Sequence, residues 1–361
     1  MKNKLIILGI AATLLIVGCQ QKVELIAEKP TLPATNYNYM STGGVTVFSP
    51  TNNQLTNAGA TLGRVLFYDK KLSLNNATAC GSCHQQQNAF ADGKQFSEGF
   101  EGMKTARNSM SLANLHNQSG YFWDLRANTL EEQVIMPIKN HIEMGLEQTD
   151  KLPAKLAKAD YYPALFNAAF GSTEITQERI EKALSQFLRS MISCNSKFDI
   201  GAQTNYNNFN TLEKKGLQIY NESMCSSCHN NTAGANSGWW GSTVANIGLE
   251  NVSADKGIMN ISNNSFDDGR FKVPSLRNIA LTGPYMHDGR FNTLEEVIDH
   301  YSTGIQATQN LNWELQDNTT GQPKKFNYSD DDKRALIAFF NTLTDFKYIN
   351  DARFSDPFKA K

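Results

Sequence analysis

The sequence predicts a mainly α-helical protein whose ordered part falls into two related domains joined by long loops, and three observations predict it. Apolar residues recur at helical spacing, no strand-rich stretch competes with them, and a block of the chain is repeated. The repeat pairs Tyr121-Phe-Trp-Asp-Leu-Arg-Ala-Asn-Thr-Leu-Glu-Glu132 with Tyr285-Met-His-Asp-Gly-Arg-Phe-Asn-Thr-Leu-Glu-Glu296 without a gap. Arg107-Asn108 against Arg277-Asn278 reads as a further echo. Each copy follows a C-x-x-C-H unit, Cys80 to His84 in the first and Cys225 to His229 in the second.

Taken in order, the chain begins with an apolar run from Leu5 to Val17 behind two lysines, ending in Gly18-Cys19. That is the pattern of an export signal, too short for a comfortable membrane span. Leu15-Ile-Val-Gly-Cys19 resembles a bacterial lipobox, which implies a signal over 1–19 and a mature chain starting at a lipid-modified Cys19. A membrane-anchored protein on the periplasmic side of the envelope, with Gln20 pointing to the outer membrane, is the expectation. Residues 20–54 are rich in Pro, Thr, Asn and Gly and read as a tether.

About three hundred residues remain, enough for two ordinary cores. A first domain over 55–200 and a second over 201–361 are expected, divided in the polar stretch after Cys194. Ile180, Ala183, Leu184, Phe187, Leu188 and Met191 form the apolar stripe of a helix over 176–191. Similar patterns predict helices over 212–220, leading into the second C-x-x-C-H unit, and over 330–343. Thr129 with Glu132 and Thr293 with Glu296 spell capping boxes, so Tyr-x-x-Asp-x-Arg becomes the loop entering each capped helix. Asp124 with Arg126 and Asp288 with Arg290 can bridge to haem propionates or to one another, and the structural role is the one expected. Charge is nearly balanced, 34 basic against 35 acidic residues, with no basic stripe to support nucleic-acid binding.

The cysteines carry the chemistry. In C-x-x-C-H each thiol can form a thioether to a haem vinyl group while the histidine supplies an axial iron ligand. A single unit also suits a thiol-redox or zinc site, but two copies in an exported chain favour two covalently bound haems c. Cys80, Cys83 and His84 would hold one, and Cys225, Cys228 and His229 the other. Cys194 is left over as a small buried residue. The fold class is therefore two cytochrome c-like haem domains, mainly α, with long connecting loops.

With Leu66-Phe-Tyr-Asp69, both haem motifs, Arg107-Asn108, Tyr121 to Arg126, Glu143-Met-Gly145 and Phe271-Lys-Val-Pro-Ser-Leu-Arg-Asn278 in this order, the chain resembles the bacterial dihaem cytochrome c peroxidases and their MauG-type dihaem oxidase relatives. The resemblance implies that the first haem reacts with hydrogen peroxide and the second exchanges electrons with a small cytochrome or cupredoxin. It implies Glu143 as the acid-base group, Trp123 as the relay between haems, and a calcium site made by Asn108 with the carbonyls of Thr282 and Pro284, a hard-cation set. Homodimers fit the same family.

The chain departs from the peroxidase pattern in several places. Where many peroxidases have a histidine that closes the resting catalytic iron, counting leads to Phe100, which has no ligating atom. His116 lies nearby and reads as an ordinary hydrogen-bonding residue. His141, two residues before Glu143, is a candidate second acid-base group. The family position of the second haem's distal ligand falls on Tyr301, with Met286 and His300 as competitors. These features leave three readings: a peroxidase first, a MauG-like oxidase of aromatic residues in a partner protein second, and a non-enzymatic electron carrier last.

Overall fold

The computed structural model describes residues 29–37, 47–229 and 244–359. The expected signal, Cys19 and part of the tether lie outside the described residues. The chain is mainly helical; the described strands, β1 (Val244–Ala245) and β2 (Phe271–Lys272), form a single antiparallel pair with Val244 opposite Lys272. No described helix is long and apolar enough to cross a membrane.

Two helix crossings build the two cores. In the first, α1 (Asn57–Tyr68), capped by Thr56, crosses α4 (Gln177–Ser190), capped by Thr176; α2 (Cys80–Cys83) and α3 (Leu130–Lys139) lie between them in sequence. The helices meet at Gly63, where a Cβ would lie 2.0 Å from the Ala183 carbonyl oxygen. In the second core, α5 (Thr211–Glu222) and α8 (Asp330–Asn341) meet at Gly216, where a Cβ would lie 1.9 Å from the Ala335 oxygen. Phe187 and Phe339 pack beside the two glycines in the same way. A side chain at either glycine would push the backbones apart, so close approach explains both residues. Between α5 and α8 lie α6 (Cys225–Cys228) and α7 (Leu294–Asp299).

The capping boxes form as expected. Thr129 accepts from the Glu132 amide at 3.1 Å and Thr293 from the Glu296 amide at 3.2 Å, while each glutamate accepts from its cap's amide. The repeat extends further upstream than Tyr121, in one ungapped register from Ser111 to Glu132 against Ser275 to Glu296. Asn114 and Asn278 occupy matching positions, each with φ +60° and each starting a short 3₁₀ turn. Asn114 bonds the Met191 and Ser193 carbonyls after α4; Asn278 takes the Leu343 carbonyl and accepts from the Asp345 amide after α8. Asn278 therefore corresponds to Asn114, and the Arg107-Asn108 echo is not structural. Arg107 pairs with Asp124 and Asp255, whereas Arg277 pairs with Asp199.

The end of the chain departs from the division at residue 200. Tyr348 and Phe354 belong to the first hydrophobic core, beside Phe90 and Phe187, because the stretch after Asp345 returns across the first domain. Tyr68 donates to the Phe354 carbonyl at 2.7 Å and Arg64 to that of Ser355 at 2.6 Å, fastening this return.

Candidate active site

Each C-x-x-C-H unit forms one helical turn that hands its histidine to a nearby carbonyl. The His84 Nδ1 lies 2.9 Å from the Phe90 oxygen and 3.3 Å from Ser109 Oγ. Ala89 and Phe90, with φ +49° and +62°, reverse the chain so that this carbonyl faces the ring. His229 Nδ1 lies 3.0 Å from the Pro274 oxygen. A carbonyl can only accept, so Nδ1 carries the proton in both rings and Nε2 is left as the nitrogen that could ligate a metal. Burial lowers the basicity of both, to about 4 for His229, which favours the neutral imidazole an iron needs.

The thiols fit thioether formation better than a zinc site. Burial pushes Cys80 and Cys225 up to about 12, and Cys83 and Cys228 up to about 11, so none is a ready thiolate. None of the described cysteines is in a disulfide, and Cys194 is buried. The second motif opens on a cavity of about 350 Å³ lined by Cys225, Cys228, His229, Met286 and Tyr301 among others. That mixture of apolar walls with a free imidazole nitrogen suits a porphyrin.

Glu143 stands at a separate cavity of about 370 Å³, shared with Phe122, Arg126, Pro137, His141 and Glu147. Its charge is felt at Cys80 and Cys83, which places it on the side of the first haem motif. Burial raises its carboxyl pKa, and Arg126 opposes that rise. The Glu143 loop is held by neighbours: Phe100 N–H donates to the Glu143 carbonyl at 2.9 Å, and the Phe100 ring fills the space beside Gly145, φ +71°. Phe100 is thus a clamp on this loop. His141 is exposed at the rim of the same cavity. Arg126 bonds both oxygens of Asp124, at 2.9 and 3.0 Å, and lies 3.6 Å over the Phe122 ring. Arg290 makes the matching pair with Asp288 at 2.8 Å. Both pairs satisfy themselves, as expected.

Trp123 is gripped from both domains. Its Nε1–H donates to the Asn108 carbonyl at 2.9 Å, and its own carbonyl accepts from the Lys272 amide at 2.7 Å. Asn108 in turn donates its amide to the His287 carbonyl at 2.7 Å. His287 occupies the repeat position of Trp123 and stacks on Phe271 at 3.7 Å. Asn108, Thr282 and Pro284 line one cavity. Asn108 Nδ2 donates to the Lys94 and Gln95 carbonyls, and no described hydrogen bond uses its Oδ1 or the Thr282 and Pro284 carbonyl oxygens. Three free oxygens in one wall suit a hard cation.

Of the three candidates near the second motif, His300 is otherwise engaged. Its Nε2 lies 3.0 Å from the Ile247 carbonyl and it does not line the cavity. Tyr301 and Met286 both do. Tyr301 sits in a π-helical stretch, His300–Gly304, that continues α7, and its buried hydroxyl is held far above the ordinary phenol range. In the same register α3 carries Pro137, which has no ligating atom.

Residues 57–207 match the family described as di-haem cytochrome c peroxidase. The methylamine utilization protein MauG of Methylophilus methylotrophus is 32% identical over 82% of this chain and 85% of its own length. The cytochrome c551 peroxidase of Nitrosomonas europaea is 32% identical over 79% of each chain. A solved MauG-like protein associated with microbial copper homeostasis superposes with a TM-score of 0.79 at 32% identity, covering 90% of this chain and all of the other. The diheme peroxidase BthA of Burkholderia thailandensis shares the fold, with a TM-score of 0.69 at 22% identity over 94% of this chain and 97% of its own. The chain belongs to the dihaem cytochrome c peroxidase family. It is an oxidoreductase of the peroxidase type, and its family carries two haems c.

Proposed function

We propose that the first haem site is where peroxide reacts and that Glu143 is its acid-base group. The observation that carries this reading is a raised, half-buried carboxyl in an open cavity beside the first motif, where the repeat has Pro137 in place of a ligand. Haem, when bound there, supplies an iron that takes up the oxidising equivalents of peroxide. Glu143 accepts the proton of the peroxide oxygen nearer the iron and returns it to the departing oxygen; a carboxyl with raised affinity is suited to both halves of that transfer. His141 at the rim is placed to exchange the proton with solvent. The balance is H₂O₂ + 2 e⁻ + 2 H⁺ → 2 H₂O, with electrons entering through the second domain from a reduced cytochrome or cupredoxin. Trp123, held to both domains, is the relay, and Asn108, Thr282 and Pro284 would hold a calcium ion between them. His84 and His229 would each hold a haem iron through the free Nε2, and Tyr301 would be a further ligand to the second.

In this reading the protein works on the periplasmic side of the envelope, held at the outer membrane by lipid on Cys19, and pairs as a homodimer. The experiment is steady-state oxidation of reduced small cytochromes and cupredoxins by peroxide; negligible turnover with all of them rejects the peroxidase reading. Tyr301 favours the second reading, a MauG-like oxidase acting on aromatic residues of a partner protein, because iron would displace its phenol proton and the resulting anionic oxygen would stabilise oxidised iron and disfavour electron entry.

A further inference from the structure

Lys272 is a buried cation without a counter-charge. It is 8% exposed, lies on β2, and lines the 350 Å³ cavity with Cys225, Cys228 and His229. Its ammonium makes no hydrogen bond or ion pair with a described residue, whereas the carboxylates of that wall are engaged by other side chains. Asp255 is taken by Arg107, Asp288 and Glu250 are taken by Arg290, and Glu314 accepts from Asn312. Burial pushes Lys272 down to about 8, with no carboxylate opposing the shift. An ammonium with no counter-charge in such a place is unfavourable, so the fold holds a charge that its own residues do not use.

The missing partner follows from the chemistry of the cavity. A haem held by two thioethers and an imidazole brings two carboxylates that neither bond consumes. We propose that Lys272 binds a propionate carboxylate of the second haem and fixes that edge of the porphyrin beside Trp123. The second half of the statement comes from the backbone: the Lys272 amide is bonded to the Trp123 carbonyl at 2.7 Å, so one residue carries both the cation and the grip on the interdomain indole. A cation held at the propionate edge also favours the reduced iron, and Lys272 is thereby a positioning residue that raises the potential of the second haem. The inference rests on the second cavity holding a haem, which is tested separately by counting haems per chain.

The test uses the full-length, haem-loaded protein and its Lys272→Gln, Lys272→Arg and Lys256→Gln variants. Lys256 pairs with Asp268, does not line the cavity, and serves as the control. Spectroelectrochemical titration should show the second haem's reduction equilibrium falling about tenfold in Lys272→Gln, a negative shift of about 59 mV for one electron. Lys272→Arg should restore most of it, and Lys256→Gln should leave it in place. Resonance Raman spectra should show a displaced propionate bending band in both Lys272 variants; if the Gln variant does not accumulate, the Arg variant alone decides on this band. An unmoved band, or an equal shift in the Lys256 variant, overturns the proposal. A wild-type chain with one haem would overturn the two-haem reading itself, whereas two haems indifferent to Lys272 would overturn only this inference.

Discussion

The two haem domains use one scaffold and differ where the capped helix ends. Gly63 against Ala183 and Gly216 against Ala335 set the same helix crossing, and Asn114 and Asn278 tie the same loop to the end of the crossing helix. Thr129 and Thr293 then start equivalent helices. Four residues past Gln133 the first of these carries Pro137 beside a cavity that holds Glu143; in the same register the second loosens into a π-helical stretch carrying Tyr301. The end of this helix is where the two sites differ, and π-helical turns are frequent at functional sites.

The largest expected effect tests the open site. Glu143→Gln should keep two haems per chain, because C-x-x-C-H supplies the covalent bonds, while the optical reaction with peroxide slows by about a hundredfold or more. A rate near wild type would remove Glu143 from its role. The same variant at His141, exposed at the rim, should change only the pH profile of that reaction; an unchanged profile ends the idea that His141 exchanges the proton.

The closed site is tested next. Tyr301→Phe should abolish the native magnetic and optical signature of the second haem and leave the first as it was, with Met286→Leu close to wild type. The reverse pattern would make Met286 the ligand and restore an ordinary electron-entry haem of higher potential.

The shared scaffold predicts equal sensitivity. Gly63→Ala and Gly216→Ala each place a methyl about 2 Å from a backbone oxygen, and each should cost about 3 kcal/mol of stability by thermal or denaturant unfolding. A large loss in one and none in the other would mean that the crossings are not equivalent.

Much of this was legible in the sequence, for definable reasons. The haem turns, capping boxes and long helices announce themselves locally, through short spacings and one-sided apolar stripes. The register of the upstream repeat was misread because Arg-Asn recurs by chance at Arg107 and Arg277, whereas the structural match, Ser111-Leu-Ala-Asn114 with Ser275-Leu-Arg-Asn278, shares less conspicuous residues. The helix crossings were present as Gly63 and Gly216 with Ala-x-x-x-Phe on the partner helix, a weak pattern until the helices are seen to touch. Tyr348 and Phe354 return to the first core through contacts far apart in sequence, and the isolation of Lys272 depends on what every neighbouring carboxylate is doing. Neither can be read from local pattern.

The smallest effect concerns His116, which occupies the repeat position of Ala280 and so belongs to the first domain alone. It was expected to hydrogen-bond. Instead it is 3% exposed, on the 3₁₀ turn after Asn114, and neither ring nitrogen has a hydrogen-bond partner among the described residues. Burial lowers its pKa to about 4. Between about pH 6.5 and 4 the unfolded chain therefore binds a proton that the folded chain refuses, and stability falls as the pH falls through this window. It is fully present above the unfolded value and no further loss from this group occurs below the folded one. The penalty is below about 3 kcal/mol, the value of the whole shift. His116→Phe should flatten this slope in unfolding measured from pH 7 to 4, while Ala280→Ser, at the matching place in the second domain, should leave the slope unchanged. If the wild type and the His116 variant lose stability in parallel over that range, the acid sensitivity of the first domain lies in another group.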